Sequence, residues 1–218
     1  MNLDVVFNWV GFLSYFALAG VAALGAYFVI LVLQRVASKR FKSEAAQDDF
    51  LDRVEPALAA GDFEAAAAAC EGNNKALPQM IAMAIANRHL GMAKSRQLVL
   101  DRFSRDVLAD LDVKIAWVLT SIKTAPMLGL FGTVMGMMGA FGKLATATSV
   151  EPSALASDIN VALQTTAMGL AIAIPLTMCM ASINNRIREM QDLVTAGLNR
   201  FFEAYKIGMT REQQRGAA

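Results

Sequence analysis

Three stretches of the sequence contain no charged residue, and each is close to or above the length that crosses a lipid bilayer. They run from Trp9 to Gln34, from Thr124 to Gly142 and from Ile159 to Asn185. A helix crosses the hydrocarbon core with ~20 predominantly apolar residues. The composition agrees, because 56% of the residues are hydrophobic and only 18% are charged, whereas soluble domains average about 25% charged residues. The sequence therefore predicts an all-α membrane protein with three transmembrane helices.

The charges that flank these spans predict their orientation. Arg35, Lys39, Arg40 and Lys42 follow the first span and Arg186 and Arg188 follow the third, whereas Lys143 is the only base between the second and the third. Basic residues concentrate on the cytoplasmic side of membrane proteins. The first apolar run is also too long for the core of a secretory signal. We therefore expect a retained anchor, an N-terminus outside and a cytoplasmic C-terminus.

These assignments divide the chain into six segments. In order, they are a periplasmic N-terminus with the first span (1–34), a cytoplasmic helical domain (35–114), the second span (115–142), a periplasmic loop (143–158), the third span (159–185) and a cytoplasmic C-terminal helix with a tail (186–218). Two spans are expected to be long helices that extend into the cytoplasm. One pattern runs from Lys94 into the second span without Gly or Pro, and another continues the third span to Tyr205. The polar tail from Gly208 onward is expected to be frayed.

The region between the first two spans is predicted to be helical. Phe50, Val54 and Leu58 recur at helical spacing, Gly61-Asp62 interrupts the pattern, and Gly72-Asn73-Asn74 interrupts it again. The run from Ala59 to Ala66 resembles the turn of a tetratricopeptide repeat. Such arrays need about three repeats and the run occurs once, so a plain helical hairpin is favoured.

The second span carries a stripe of glycines. Gly129, Gly132, Gly136, Gly139 and Gly142 are three or four residues apart and so share one face of a helix. Glycine costs roughly 1 kcal/mol relative to alanine in a helix in water, but in lipid small residues let neighbouring helices approach closely. We interpret this face, which carries one hydroxyl in Thr133, as a helix-packing surface.

The third span carries a stripe of small and polar residues. On a helical wheel its members fall close together: Ala162, Thr166, Gly169, Ala173, Thr177 and Asn184. One interpretation is that the hydroxyls bond to carbonyls one turn earlier and the glycines only pack. The other is that Thr133, Thr166, Thr177 and Asn184 line a common ion pathway after oligomerisation.

Three further residues mark the ends and interiors of these spans. Lys123 lies at the cytoplasmic edge of the second span, where it either reaches to the lipid headgroups or contacts an acidic group of a partner. Pro126 and Pro175 each remove a helical hydrogen bond. We expect a kink or a flexing point at either proline.

Several classes of function are disfavoured. The spans contain no Asp, Glu or Arg, although intramembrane acids are the usual proton carriers, and they hold no nucleophile and base pair for an intramembrane enzyme. His89 is the only histidine, so no metal site and no cofactor are expected. A net charge of +1 argues against nucleic acid. Cys70 and Cys179 are expected to be free thiols.

Two motifs resemble those of a known family. Ala125-Pro126-x-Leu128-Gly129-Leu130-x-Gly132-Thr133-Val134-x-Gly136-Met137 and Ala162-Leu163-x-x-Thr166-Ala167-x-Gly169-Leu170-x-x-Ala173-Ile174-Pro175 are similar to the ExbB/TolQ/MotA ion-channel family. The three-span layout resembles ExbB and TolQ more than the four-span MotA. The cytoplasmic part matches in helical character and length only.

The resemblance implies a bacterial inner-membrane channel subunit that couples proton-motive force to mechanical work and so energises envelope transport or maintenance. It implies a homopentamer around the single-span helices of an ExbD- or TolR-like partner, which supplies an intramembrane aspartate facing Thr133 and Thr166. A TonB- or TolA-like periplasm-spanning protein is a further implied partner. A gliding-type or sodium-driven motor stator and a non-conducting oligomeric scaffold remain alternatives. The chain departs from ExbB and TolQ at Val161, where an acidic residue is common.

Overall fold

The computed structural model describes residues 3–146 and 152–216, and within them the chain is almost entirely helical. The α-helices, in chain order, are α1 (Leu3–Lys39), α2 (Glu44–Ala60), α3 (Phe63–Ala68), α4 (Ala76–Ala86), α5 (Met92–Phe103), α6 (Ala109–Thr146) and α7 (Pro152–Gly216). Among the described residues, three helices are long and apolar enough to cross a membrane. The predicted all-α membrane fold with a helical domain is therefore confirmed.

Residues 147–151 of the predicted periplasmic loop lie outside the described residues, as do residues 1–2 and 217–218 of the two predicted terminal segments. The described ends of the loop segment are helical, because α6 continues to Thr146 and α7 begins at Pro152. The six segment boundaries remain predictions.

The chain divides into two compact units. The membrane unit combines Met1–Leu31 with Lys114–Ile183, and the helical domain combines Val32–Val113 with Asn184–Ala218. Helices α1, α6 and α7 each contribute residues to both units. Long helices that continue beyond the charge-free spans were predicted, and α6 and α7 both do so.

The membrane unit packs α1, α6 and α7 through small and aromatic side chains. A Cβ added to Gly25 of α1 would lie 2.7 Å from the Leu176 side chain of α7 and 3.2 Å from Ser121 of α6. The ring of Phe28 stacks on Trp117, with the centroids 5.7 Å apart. Many large apolar side chains of these helices stay exposed, which is typical of a lipid-facing surface because lipid replaces a protein core as the apolar environment.

The helical domain has an aliphatic and aromatic core, and its local breaks follow the sequence signals. Phe50, Val54 and Leu58 of α2 are buried as their spacing predicts. Gly61 ends α2 in the left-handed conformation with φ 81°, which glycine adopts without steric cost. The Asp62 side chain accepts a hydrogen bond from the Ala65 N–H, 3.0 Å away, and begins α3.

The helix predicted from Lys94 into the second span contains an irregularity that the pattern did not reveal. Helices α5 and α6 are joined by a π-helical turn at Ser104–Leu108. Because a π turn holds an extra residue without breaking the helix, no Gly or Pro is needed to mark it. The extra residue therefore rotates the apolar face of the helix, and no residue type in the sequence marks the position of this change.

The predicted fraying from Gly208 is wrong for the described residues, because α7 continues to Gly216. A Cβ at Gly208 would lie 2.1 Å from the Leu58 carbonyl oxygen, so only glycine allows this approach of α7 to α2. Arg211 also donates to the Ala59 carbonyl oxygen at 2.8 Å. Polar composition and a glycine indicated a loose end, but tertiary contacts hold the helix.

Candidate functional site

The glycine stripe of α6 lies directly against α7. A Cβ at Gly132 would be 2.6 Å from Thr165 Oγ1, and one at Gly136 would be 2.7 Å from the Ala162 Cβ. Real Cβ atoms do not come within 3.0 Å of such neighbours. The missing side chains therefore create the space that α7 occupies, as small residues do between membrane helices.

A second close approach involves the backbones of both helices. A Cβ at Gly169 of α7 would lie 2.6 Å from the Ala125 carbonyl oxygen and 3.3 Å from the Gly129 Cα of α6. In the opposite direction, a Cβ at Gly129 would lie 2.8 Å from the Thr165 carbonyl oxygen. Two glycines on facing helices thus allow backbone contact with almost no side chain between them. Gly139 is buried as well, whereas a Cβ at Gly142 would meet nothing within 4 Å.

Thr133 and Thr166 meet across this contact. Their hydroxyl groups hydrogen-bond to each other. Thr133 Oγ1 also lies 3.0 Å from the Ala162 carbonyl oxygen of α7, and Thr166 Oγ1 lies 3.1 Å from the Gly129 carbonyl oxygen of α6. Two residues that lie 33 positions apart in sequence are therefore brought together, each bonded to the backbone of the opposite helix.

A third hydroxyl belongs to the same cluster, although it was not among the predicted site residues. Thr165 Oγ1 lies 2.7 Å from the Ala162 carbonyl oxygen and 3.0 Å from the Gly129 carbonyl oxygen, and the residue is 2% exposed. On a helical wheel Thr165 is 100° away from Thr166, so it falls outside the polar stripe. Only the structure pairs Thr165 with Gly132, where an added Cβ would lie 2.6 Å from the Thr165 hydroxyl oxygen.

The cluster of Thr133, Thr165, Thr166 and the carbonyl groups of Gly129 and Ala162 is called the hydroxyl cluster below. It has five oxygen atoms and no charged side chain. An ion pair joins the end of α6 to the start of α7, with Lys143 Nζ 2.8 Å from Asp158 Oδ2. An uncharged set of oxygen atoms can solvate a cation or hydrogen-bond a protonated acid, but supplies no titrating group of its own.

The other predicted pathway residues do not join the cluster. The Thr177 hydroxyl donates to the Ala173 carbonyl oxygen of its own helix at 2.8 Å. Thr177 is also eleven residues beyond Thr166, or about 16 Å along a helix. Asn184 is exposed and falls in the helical domain. Their assignment to an ion pathway remains a prediction.

The proline and lysine positions are also located. Helical hydrogen bonding continues on both sides of Pro126 in α6 and of Pro175 in α7. Pro126 follows Ala125, whose carbonyl oxygen faces Gly169, so this proline lies beside the closest helix contact. Lys123 is exposed, and its predicted partner contact remains a prediction.

Val161, the position at which the chain departs from the resembled pattern, is 47% exposed. Its carbonyl oxygen accepts a hydrogen bond from the Tyr15 hydroxyl of α1 at 3.4 Å. Both cysteines are free thiols, as predicted. Among the residues that the structure describes, no group of acidic, histidine or cysteine side chains is suited to a metal ion.

Comparison with known families identifies the chain. Residues 73–195 match the MotA/TolQ/ExbB proton channel family. This range contains the whole of α6, the hydroxyl cluster and the membrane part of α7. The chain belongs to the MotA/TolQ/ExbB proton channel family. Its resemblance to this family, based on the two motifs of the second and third spans, is thereby confirmed.

Individual relatives agree with the family assignment. A putative biopolymer transport protein ExbB homolog of Methanothermobacter thermautotrophicus is 30% identical over 203 residues, which cover 89% of this chain and 71% of the relative. ExbB of Xanthomonas campestris is 31% identical over 120 residues, covering 52% and 47%. TolQ of the Tol-Pal system of Haemophilus influenzae is 33% identical over 84 residues, covering 38% and 37%. The chain thus spans less than half the length of the last two relatives.

Membership in this family bears on what the hydroxyl cluster does. The family consists of membrane proteins that energise transport, and the matched range includes Thr133, Thr165 and Thr166. The proposed function rests on this cluster of uncharged oxygen atoms in the matched spans.

Proposed function

We propose that the chain is a proton-conducting subunit of an inner-membrane complex that converts proton-motive force into mechanical work. The observation that carries the proposal is the Thr133–Thr166 hydroxyl pair, because it places hydrogen-bonding groups between two charge-free spans that contain no acidic or basic side chain. An intramembrane pathway without an acid of its own requires a carboxylate from another protein. The relatives named ExbB and TolQ point to an ExbD- or TolR-like partner with one span and an intramembrane aspartate.

In the proposed complex, five copies of this chain surround the partner's helices, and the N-terminus of each copy is periplasmic. When the partner's aspartate is protonated, it donates a hydrogen bond to the threonine hydroxyls; when it loses the proton, the hydroxyls must rotate to donate to it. Each charge that crosses the membrane yields roughly 2.3 kcal/mol per 100 mV. That free energy is comparable to breaking a few interhelical hydrogen bonds and so suits a modest conformational step per ion.

Three features of the fold support this arrangement. The exposed apolar side chains of α6 and α7, such as Phe131, Val134 and Leu163, suit contacts with lipid and with further copies. The glycine faces hold α6 and α7 close together, which positions the threonine hydroxyl groups. The basic residues that follow the first and third spans favour a cytoplasmic location for the helical domain.

The proposal is tested by replacing both threonines with valine, which keeps the side-chain shape and removes the hydroxyl groups. The chain is purified with the single-span protein that copurifies with it, and the complex is reconstituted in vesicles containing a pH-sensitive dye under an imposed potential. Proton flux per assembled complex is expected to fall to background in Thr133→Val/Thr166→Val. Thr120→Val is the matched control, because the Thr120 hydroxyl bonds within its own helix, to the Ala116 carbonyl oxygen.

Full proton flux in the double variant would refute the assignment of these threonines to the pathway. A wild-type complex that contains the partner and passes no ions under any potential would identify a non-conducting scaffold instead. Flux of sodium in place of protons in the same vesicles would contradict the proton assignment and indicate a sodium-driven motor.

A further inference from the structure

The hydroxyl cluster contains three protons that must be shared among a limited set of acceptors. The Gly129 carbonyl oxygen already accepts the N–H of Thr133 within α6, and the Ala162 carbonyl oxygen accepts the N–H of Thr166 within α7, since both helices are continuous there. A carbonyl oxygen has two lone pairs. Each of these two carbonyl groups therefore has one lone pair left for a hydroxyl proton.

Three arrangements place all three hydroxyl protons. In the first, Thr165 donates to the Ala162 carbonyl oxygen at 2.7 Å, Thr133 donates to Thr166, and Thr166 donates to the Gly129 carbonyl oxygen at 3.1 Å. In the second, Thr165 donates to the Gly129 carbonyl oxygen at 3.0 Å, Thr166 donates to Thr133, and Thr133 donates to the Ala162 carbonyl oxygen at 3.0 Å. In the third, Thr165 donates to the Ala162 carbonyl oxygen at 2.7 Å, Thr133 donates to the Gly129 carbonyl oxygen of its own helix at 3.2 Å, and Thr166 donates to Thr133. In all three, Thr165 takes one of the two carbonyl acceptors, so Thr133 and Thr166 must hydrogen-bond to each other.

In all three arrangements every hydroxyl proton is used inside the cluster. Thr133 and Thr166 then present only lone pairs to their surroundings, and the threonine that donates within the pair keeps both of its lone pairs open. Such a surface accepts a hydrogen bond from a protonated carboxylic acid or coordinates a cation. It disfavours an ionised carboxylate until a hydroxyl rotates out of the cluster.

We propose that Thr165 is a positioning residue that takes one of the two carbonyl acceptors, obliges Thr133 and Thr166 to hydrogen-bond to each other, and so keeps this pair together as an acceptor for a protonated carboxyl group. Thr165 is suited to this role because it is almost fully buried and occupies the space left by Gly132, where a Cβ would lie 2.6 Å from its hydroxyl oxygen. It therefore acts through the pair and does not itself face the ion. This inference rests on the proposed function.

The test uses Thr165→Val and Thr165→Ser in the same reconstituted complex. Valine keeps the branched shape and removes the hydroxyl, so one acceptor is vacated and Thr133 and Thr166 can each donate to a carbonyl group without bonding to each other. Proton flux per assembled complex is expected to fall about tenfold, the equivalent of about one hydrogen bond. Serine keeps the hydroxyl and is expected to stay within about twofold of wild type. Thr120→Val again serves as the control.

A purely structural role would lower the yield of the assembled complex but leave the flux per complex unchanged. Wild-type flux per complex in Thr165→Val would therefore overturn the inference, and so would equal damage by valine and serine, since serine keeps the hydroxyl and that result would trace the effect to side-chain packing. Either result leaves the proposed function intact if Thr133→Val/Thr166→Val remains inactive.

A second measurement does not depend on ion flux. The unfolding equilibrium of the full chain in lipid bicelles is compared for Thr165→Val, Thr133→Val and the double variant. Coupling through shared acceptors predicts that the two effects on the equilibrium constant are non-additive by about threefold or more. Additive effects would overturn the inference even if the wild-type complex were found not to conduct.

Discussion

Replacing Gly169 with alanine is the sharpest test of the helix contact that builds the hydroxyl cluster. The new Cβ would lie 2.6 Å from the Ala125 carbonyl oxygen, whereas ordinary van der Waals contact begins at 3.4 Å, so relief requires a local displacement of about 0.8 Å. The obstructing atoms belong to the backbone of α6, so a side-chain rotation cannot relieve the contact. We expect α6 and α7 to separate at this level.

The expected loss follows from the hydrogen bonds between the helices. Three hydroxyl-to-carbonyl bonds cross between α6 and α7 with lengths of 3.0, 3.0 and 3.1 Å, and the Thr133–Thr166 bond is a fourth. A displacement of this size stretches them beyond hydrogen-bonding range. Because the three hydroxyl groups supply three protons, at most three of these four bonds form at once; at about 0.6 kcal/mol each in a membrane, the loss is up to about 1.8 kcal/mol. Strain adds about 1–3 kcal/mol, and the better helix propensity of alanine returns about 1 kcal/mol.

We therefore expect Gly169→Ala to lower the free energy of unfolding by about 2–4 kcal/mol. The assay is the unfolding equilibrium of the full chain in lipid bicelles, and Gly142→Ala is the matched control. Residue 142 is also a helical glycine, and its Cβ would meet nothing within 4 Å. The control should be unchanged or up to about 1 kcal/mol more stable. Equal stability of the two variants would refute the close contact and the hydrogen bonds inferred from it.

Two further predictions concern the helical domain. Arg200 of α7 forms ion pairs with Asp48, Asp52 and Glu55 of α2, and hydrogen bonds to Asp52 and Glu55 raise the pKa of its guanidinium. Arg200→Gln should lower the free energy of unfolding, measured in urea, by about 1–2 kcal/mol, and the loss should be smaller in 1 M salt. The control is Arg53→Gln, which removes a highly exposed ion pair with Asp49 and should cost at most about 0.5 kcal/mol. Equal losses in the two variants would contradict the stabilising role of the Arg200 network. Burial raises the pKa of the Cys70 thiol from 9.0 to about 11, so the thiol favours the fold below pH 9 and this contribution is lost as the pH rises toward 11. Alkylation of Cys70 by iodoacetamide at pH 8.5, followed by mass spectrometry, should be far slower in the folded chain than after denaturation, and equal rates would show that the thiol is not buried.

The membrane fold could be predicted from the sequence because each pattern that indicates it involves only residues close together in the chain. The length of the charge-free stretches predicts the spans, and the Gly61-Asp62 pair predicts the end of α2 and the start of α3. Periodicity likewise placed the glycines and Thr133 on one face of α6, and Thr166 on one face of α7. Each of these features is a property of one helix and needs no knowledge of its partner.

Features that depend on contact between helices could not be obtained in this way. The C-terminal part of α7 packs against α2 where Gly208 approaches Leu58. The polar composition of this segment had instead predicted a frayed end. The π turn at Ser104–Leu108 leaves the helical pattern without a Gly or Pro. The membership of Thr165 in the cluster depends on the space beside Gly132, which lies 33 positions earlier in the chain.

The sequence by itself therefore determined which segments are helices, which of them are apolar enough to cross a membrane, and which family the motifs resemble. The tertiary structure decided which hydroxyl groups meet and which carbonyl groups remain to accept their protons. The physical reason is that helix formation and lipid compatibility follow from short-range spacing and composition, whereas a hydrogen bond between helices exists only where two backbones approach within a few tenths of an ångström of a required distance. For Thr133, Thr165 and Thr166, the glycines on the facing helices make that approach possible.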